Sequence, residues 1–335
     1  MITIVVGGQF GSEGKGSVVS WLAKNKPFDL AIRTGGPNAG HTFVIDRGNQ
    51  TIKMRQLPCT WFDQPNTPVY LPAGAIIKRE VFHAEVEMVR SMGYTGSVLV
   101  SRQAAVIEES VAEEMERDIR TGTTHEGIGA TRALKCLRKA RLAWEFGDLH
   151  KHLMVDGQIP RLLENGNTSI LIESSQGFGL SMDGRFYPWV TSTNINPYAL
   201  LAEAEVPFNR HSVAVWMVLR AFPIRIAGES GPLARETTWE ALRAMYGEHI
   251  PNEHTTVTKK LRRVGEFDVL QATEAIERCR PTTVVLTFFD YLFPNIEKTG
   301  ITGEARCAIH DMEAKLNHQV DYVGIGIGKL LRVQS

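Results

Sequence analysis

Short apolar runs alternate along the chain with stretches of helical spacing. Ile2 to Val6, Leu30 to Arg33, Val98 to Ser101, Ser169 to Glu173, Val213 to Leu219 and Thr283 to Thr287 read as buried strands, with Thr67 to Ile77 as strand and turn. Val18 to Ala23 and Lys78 to Met92 have helical spacing, the second with Val81, Val86 and Val89 facing inward. Glu108 to Arg120 reads as a solvated helix whose acidic run Glu113, Glu114 and Glu116 is surface, and Thr131 to Arg141 as a basic helix. Strands alternating with helices predict an α/β chain with a mainly parallel sheet flanked by helices, where ligands collect at the carboxyl ends of strands. With no repeat, low-complexity tract or break in composition, residues 1–335 read as a single domain.

The loops after these strands are polar and rich in glycine. Gly7-Gly8-Gln9-Phe10-Gly11-Ser12-Glu13-Gly14-Lys15-Gly16-Ser17 joins the first strand to the first helix. Glycines let the backbone turn its N–H groups inward, and the helix N-terminus adds partial positive charge, so this is a P-loop-like phosphate site. The spacing is not that of the ordinary P-loop: Gln9 stands where its first glycine belongs, and Gly16 follows Lys15 in place of a hydroxyl residue. Leu30 to Arg33 leads to a second such loop, Gly35-Gly36-Pro37-Asn38-Ala39-Gly40-His41-Thr42.

Composition narrows the partners. Lys+Arg and Asp+Glu are both 37, so no basic field points to nucleic acid. No apolar stretch is long enough to span a bilayer, and Met1 runs straight into a strand without the n- and h-regions of a signal peptide. Cys59, Cys136, Cys279 and Cys307 lack Cys-x-x-Cys spacing, which argues against disulfides or zinc and for a reducing cytoplasm.

These loops suit phosphoryl chemistry. Lys15 and the first-loop amides fit β- and γ-phosphates, while the Gly40 carbonyl and oxygens near Ser12 could help hold Mg2+. His41 could give a proton or hydrogen bond to a γ-phosphoryl in transfer. Thr123, Thr124 and Thr191 offer hydroxyls for the phosphate of a nucleoside monophosphate, and Gln176 an amide for a base edge. Arg138 lies on the basic helix, where a solvated face is the plain reading. Thr258-Lys259-Lys260-Leu261-Arg262-Arg263 carries four cations in six residues; such a run is usually solvated, but a dicarboxylic substrate would need a site of this kind.

Gly-x-Gln-x-Gly-x-Glu-Gly-Lys-Gly and Gly-Gly-x-Asn-Ala-Gly-His-Thr together closely resemble the signature of the adenylosuccinate synthetases. Gly122-Thr123-Thr124-x-x-Gly127-Ile128-Gly129, Gln176-Gly177, Tyr187-Pro188-x-Val190-Thr191-Ser192 and Arg262-Arg263-x-Gly265 follow in family order, so the resemblance covers nearly the whole chain. It implies a reaction in two steps: a γ-phosphoryl passes to O6 of a 6-oxopurine monophosphate, and the amine of L-aspartate displaces phosphate at C6. It implies His41 as general acid, and a triphosphate held by Gly11, Glu13, Gly14, Lys15, Gly16, Ser17, Gly40, His41, Thr42, Asp290 and Gly326. Ser12, Asn38, Thr123, Thr124, Gln176 and Thr191 would bind the monophosphate, joined by Arg138 across a homodimer interface. Val257, Thr258, Lys260 and Arg262 would hold aspartate, with Lys260 where the family usually has Arg. Ser12 and Gly40 would be ligands of the Mg2+ cofactor.

Two departures touch the two purine sites. Ser12 stands where the family has the Asp that deprotonates N1 of IMP, and its small neutral side chain leaves room beside a 2-amino group. This resembles a phage branch that takes dGMP and makes 2-aminoadenine nucleotides. Glu13, a water or the substrate could replace the missing base. Thr287-Phe288-Phe289-Asp290 replaces the Thr-Lys-Leu-Asp that recognises guanine, which favours ATP over GTP. The expected reaction joins dGMP, L-aspartate and ATP into N6-succinyl-2-amino-2′-deoxyadenylate. The alternatives are an ordinary synthetase using IMP and GTP, and a nucleotide-dependent switch ATPase.

Overall fold

The computed structural model describes residues 1–45, 50–116, 125–155, 158–159, 161, 167–207, 212–255 and 259–333. Ten strands among them form one sheet, in the order Leu330–Arg332, Tyr322–Gly324, Thr283–Thr287, Val213–Arg220, Ile2–Gly7, Ile170–Gly177, Leu30–Arg33, Val69–Leu71, Val98–Ser101 and Leu153–Met154. Every neighbouring pair is parallel except the closing hairpin of Tyr322–Gly324 with Leu330–Arg332.

Parallel strands buried on both faces read as near-continuous apolar runs, which is why these strands stand out in the sequence. Side-chain alternation divides the first strand between two cores. Ile2, Ile4 and Val6 pack with helices Pro197–Glu203, Val269–Cys279 and Gly303–Leu316 on one face. Val5 packs on the other with Val18, Val19 and Leu22 of helix Lys15–Asn25 and Phe82 and Val89 of helix Arg79–Ser91. A smaller antiparallel sheet of Ile224–Arg225, Arg263–Gly265 and Glu236–Thr237 has its own core around Trp239 and Val264.

Four expectations need correction. The fourth apolar run continues as strand through Gly177, because it pairs with the first strand as far as Gly7 across a register shift. Gln176 therefore sits near the end of a strand rather than in a loop. The basic helix spans only Ile128–Cys136: Arg138 turns to φ +61° and Lys139 N–H returns to Leu134 O, a Schellman-type stop. Arg138 is thus exposed beyond the helix. In the acidic run, Glu116 is buried and accepts from Gly127 N–H at 3.1 Å. On helix Arg79–Ser91 the buried positions are Phe82, Glu85 and Val89, with Val81 and Val86 half-buried.

Candidate active site

At the end of the first strand the chain passes through left-handed backbone at Gly11, Ser12 and Gly14. Successive turns of this kind aim N–H groups at a common point. Here the point is filled by the chain's own carboxylate: Glu13 Oε1 accepts from Gln9 N–H at 3.1 Å and Gly11 N–H at 2.8 Å. Its Oε2 pairs with Lys15 Nζ at 2.7 Å, and both side chains are buried. Burial opposes ionisation of Glu13, but Lys15 and the loop amides outweigh it and hold the carboxyl below its ordinary value. A Cβ on Gly177 would stand 2.2 Å from Glu13 Oε1, so that glycine makes room for the carboxylate.

The second loop closes over this turn. A Cβ on Gly16 would lie 2.9 Å from Thr42 O and 3.0 Å from His41 Cβ, which explains why no hydroxyl residue follows Lys15. His41 begins strand His41–Ile45 and is buried. Its Nδ1 makes a short contact with Glu173 Oε1 and lies 2.7 Å from Arg33 Nη1. Arg33 and Glu173 are register partners on adjacent strands and are joined at 2.6 Å. Glu173 Oε2 also accepts from Cys59 N–H at 2.7 Å. Burial and the neighbouring Arg33 lower the His41 imidazole from 6.5 to about 4, with Glu173 acting in the opposite sense. Burial opposes ionisation of Glu173 as well, but Arg33, His41 and the Cys59 amide pull its carboxyl down to about 2. His41, Cys59 and Glu173 present donor atoms within 4.8 Å of one another, but the Arg33 guanidinium in their midst repels a cation.

A cavity of about 440 Å³ opens in front of His41. Nine expected site residues line it: Gly11, Ser12, Asn38, Gly40, His41, Gln176, Thr191, Lys260 and Arg262. Ser12 and Lys260 are exposed, while Asn38, Gly40, Gln176, Thr191 and Arg262 are half-buried. Arg262 Nη1 donates to Ser12 Oγ in a short bond, and Arg220 Nη1 donates to Ser12 O at 3.0 Å. Arg220 is fully buried, pairs with Glu253 and stacks 3.9 Å from the Phe288 ring centroid.

Glu13, Gly14, Lys15, Gly16, Ser17, Thr42, Asp290 and Gly326 lie outside the cavity lining. Several meet behind the loop: Gly328 N–H donates to Ser17 Oγ at 2.7 Å, and Thr287 Oγ1 donates to Glu13 O at 2.6 Å. Phe288, at φ +56°, comes within 3.7 Å of a Cβ built on Gly14. Asp290 occupies the short turn Phe289–Tyr291, where burial pushes its carboxyl up. Arg138 reaches none of these groups, and Thr123, Thr124, Val257 and Thr258 lie outside the described residues.

The sequence reading passed over Arg33, Glu173 and Arg225. Arg225 lines the cavity, stacks 3.8 Å from the Phe10 ring centroid and donates to Pro232 O at 3.1 Å; its Nη2 has no hydrogen-bond partner among the described residues. Burial and then Arg263 lower its guanidinium to about 10. The available signal was a charge within an otherwise apolar strand, as at Arg33 and Glu173, since an unpaired buried charge is too costly to be there by accident.

The sequence model for adenylosuccinate synthetase matches residues 4–168 and 148–302. The chain is 32% identical over 308 residues to the N6-succino-2-amino-2′-deoxyadenylate synthase of Vibrio phage phiVC8, covering 88% of this chain and 87% of that protein. It is also 32% identical over 294 residues to the adenylosuccinate synthetase of Pyrococcus horikoshii, covering 86% and 83%. Among solved structures, the succinoaminodeoxyadenylate synthetase of cyanophage S-2L bound to dGMP and dATP superposes with a TM-score of 0.85 at 25% identity, covering 100% of this chain and 95% of that one. The fully ligated Plasmodium falciparum adenylosuccinate synthetase gives 0.82 at 18% identity, covering 99% of both, and shares the fold.

Proposed function

The chain belongs to the adenylosuccinate synthetase family of C–N bond-forming ligases, and on that premise we propose that it joins L-aspartate to C6 of dGMP using ATP. The γ-phosphoryl of ATP passes to O6 of the purine; the aspartate amine then forms the C6–N bond as the C6–O bond breaks and phosphate leaves. Family membership sets aside the switch ATPase. The observation that carries the dGMP reading is Ser12: a small hydroxyl at the cavity wall, bonded to Arg262, stands where the family's carboxylate would be. Similarity to phage enzymes of that type supports it. Phe288, where a lysine would recognise guanine, supports ATP.

In this scheme His41 faces the transferring phosphoryl, Asn38, Gln176 and Thr191 hold the monophosphate, and Lys260 and Arg262 hold the aspartate carboxylates. Thr123, Thr124, Val257 and Thr258 complete these sets. Lys15 and the glycine turn, whose ammonium and Gln9 and Gly11 N–H groups are held by Glu13 in this structure, would serve the triphosphate, with Asp290 and Gly326 toward its base. Mg2+ keeps mostly water and phosphate oxygens as ligands, and the Gly40 carbonyl at the cavity wall fits it; bound there it would neutralise phosphate charge. Ser12 Oγ already accepts from Arg262, so it is the poorer of the two expected metal ligands. Arg138 would act from a second subunit of a homodimer, for which its exposed position is suited. Cytoplasmic action fits these substrates, and no helix among the described residues is long and apolar enough to cross a membrane.

The test is aspartate-dependent phosphate release from ATP with dGMP or IMP as acceptor. Turnover with dGMP and little with IMP is expected; turnover with IMP alone would overturn the dGMP assignment.

A further inference from the structure

We propose that Arg225 is a positioning residue for the monophosphate, holding the Thr191 wall of the cavity in place against the first glycine turn. The proposal rests on the reading of Thr191 as a ligand of that substrate. Arg225 ends strand Ile224–Arg225 and is 3% exposed, at the wall of the cavity. Three segments far apart in sequence meet on its guanidinium. Nη1 donates to Trp189 O at 3.4 Å and, in a short bond, to Ser230 O, while Nε donates to Pro232 O at 3.1 Å. The guanidinium carbon lies 3.8 Å from the Phe10 ring centroid and 5.2 Å from that of Phe186, which packs edge-on to Phe10. A planar cation that forks to carbonyls while stacking on a ring is what Arg supplies and Lys does not.

These contacts place backbone rather than balance charge. Among the described residues the hydrogen-bond acceptors of Arg225 are all backbone carbonyls, none of them a carboxylate. The neighbouring charge is Arg263, its register partner, which is taken up by Glu236 at 2.7 Å and Gly231 O at 2.8 Å. The backbone is shaped to fit. A Cβ on Gly231, at φ +96°, would stand 2.7 Å from Trp189 Cβ and 2.9 Å from Arg225 Nη1, so a glycine lets loop 226–232 close on Trp189. Trp189 is thus held through its carbonyl by Arg225 and along its side by Gly231. Two residues on, Thr191 lines the cavity, its N–H donating to Leu180 O at 2.7 Å. On the other side of the guanidinium, Phe10 leads directly into Gly11 and Ser12. Without Arg225 the buried Ser230 loses a donor to its carbonyl and the Trp189 segment is free to shift. The phosphate would then meet a displaced hydroxyl, while the groups around His41 keep their own contacts.

The test measures kcat and the KM of each substrate for Arg225→Met and Arg225→Lys, with the acceptor that the wild-type enzyme turns over. Both are expected to raise KM for the monophosphate roughly tenfold, the scale of one lost hydrogen bond. The kcat and the KM values for ATP and aspartate should stay within about twofold of wild type, as for a loss of uniform binding. Combined with Thr191→Val, either substitution should add less than it does alone, because both act on one contact. Equal rises in all three KM values, or fully additive effects, would place Arg225 in general stability and overturn the proposal. A wild-type KM in Arg225→Lys, which keeps the charge without the fork, also overturns it. Thr191→Val with an unchanged KM for the monophosphate would instead remove the reading on which the proposal rests. If neither Arg225 variant folds, Phe10→Leu decides: losing the ring under the guanidinium should give the same selective rise, and wild-type KM values overturn the proposal.

Discussion

Arg262 hydrogen-bonds the Ser12 hydroxyl across 250 positions of sequence, joining the first glycine-rich turn to the segment expected to hold aspartate. The same turn is gripped from behind, where Arg220 donates to Ser12 O and pairs with Glu253. Arg262 N–H in turn donates to Glu253 O at 2.8 Å, so turn and segment share a frame.

Ser12→Asp is expected to shift preference from dGMP toward IMP, because it supplies a base and crowds a 2-amino group. Aspartate tolerates the left-handed backbone at this position, so the change tests chemistry rather than strain. Relative kcat/KM for the two acceptors is the measurement, and an unchanged ratio would remove Ser12 as the specificity determinant.

Gly16→Ala tests the closeness of the two loops. The new methyl meets backbone at 2.9 Å, which cannot swing aside as a side-chain tip would. A loss of about 1–3 kcal/mol in stability is expected, together with lower kcat as His41 is displaced. Denaturant midpoints and turnover measure both; an unaltered protein would mean that the loops can part without cost.

Arg220→Met leaves Glu253 without its ion-pair partner, with the Tyr291 hydroxyl still donating to it at 3.1 Å, and frees the frame under Ser12 and Arg262. Because Glu253 is partly exposed, a loss of about 2 kcal/mol is expected, below the value for a fully buried pair. KM for aspartate should rise more than KM for ATP. Equal rises in both would place Arg220 in general stability alone.

Acid should weaken the fold in two stages. His41 has its folded value lowered from 6.5 to about 4, so the unfolded chain binds the extra proton first; its contribution is complete above pH 6.5 and is lost as pH falls toward 4. Glu173 is lowered from 4.5 to about 2, and its contribution is lost below pH 4.5. Melting temperatures between pH 7 and 4 should therefore fall less steeply in His41→Asn than in wild type. Parallel curves would place the acid sensitivity elsewhere.

The local grammar of the site was legible because it is written in neighbouring residues. Ile2 to Val6 followed by Gly7 through Lys15 is a strand, a turn that needs left-handed backbone, and a helix start, and Gly11 and Gly14 adopt that backbone. Leu30–Arg33 and Thr283–Thr287 form strands with the bounds expected from their apolar runs. The basic helix ends before its charge pattern does, because Arg138 takes a left-handed conformation usually left to glycine and nothing in its residue type announces it.

The sequence by itself determined the α/β alternation, the glycine turns and nine of the residues that line the cavity, because propensity, periodicity and motif spacing act over a few residues. Tertiary structure decided the partnerships. Glu173 meets Arg33 through parallel register and His41 through the fold of the second loop, 132 residues away in sequence; Arg262 finds Ser12 from the residue before a strand of the small sheet. Strand order and register set these contacts, and no local pattern encodes them. Whether a buried charge such as Glu173 is paired, and hence how it tunes its neighbour, is therefore settled only when distant strands align.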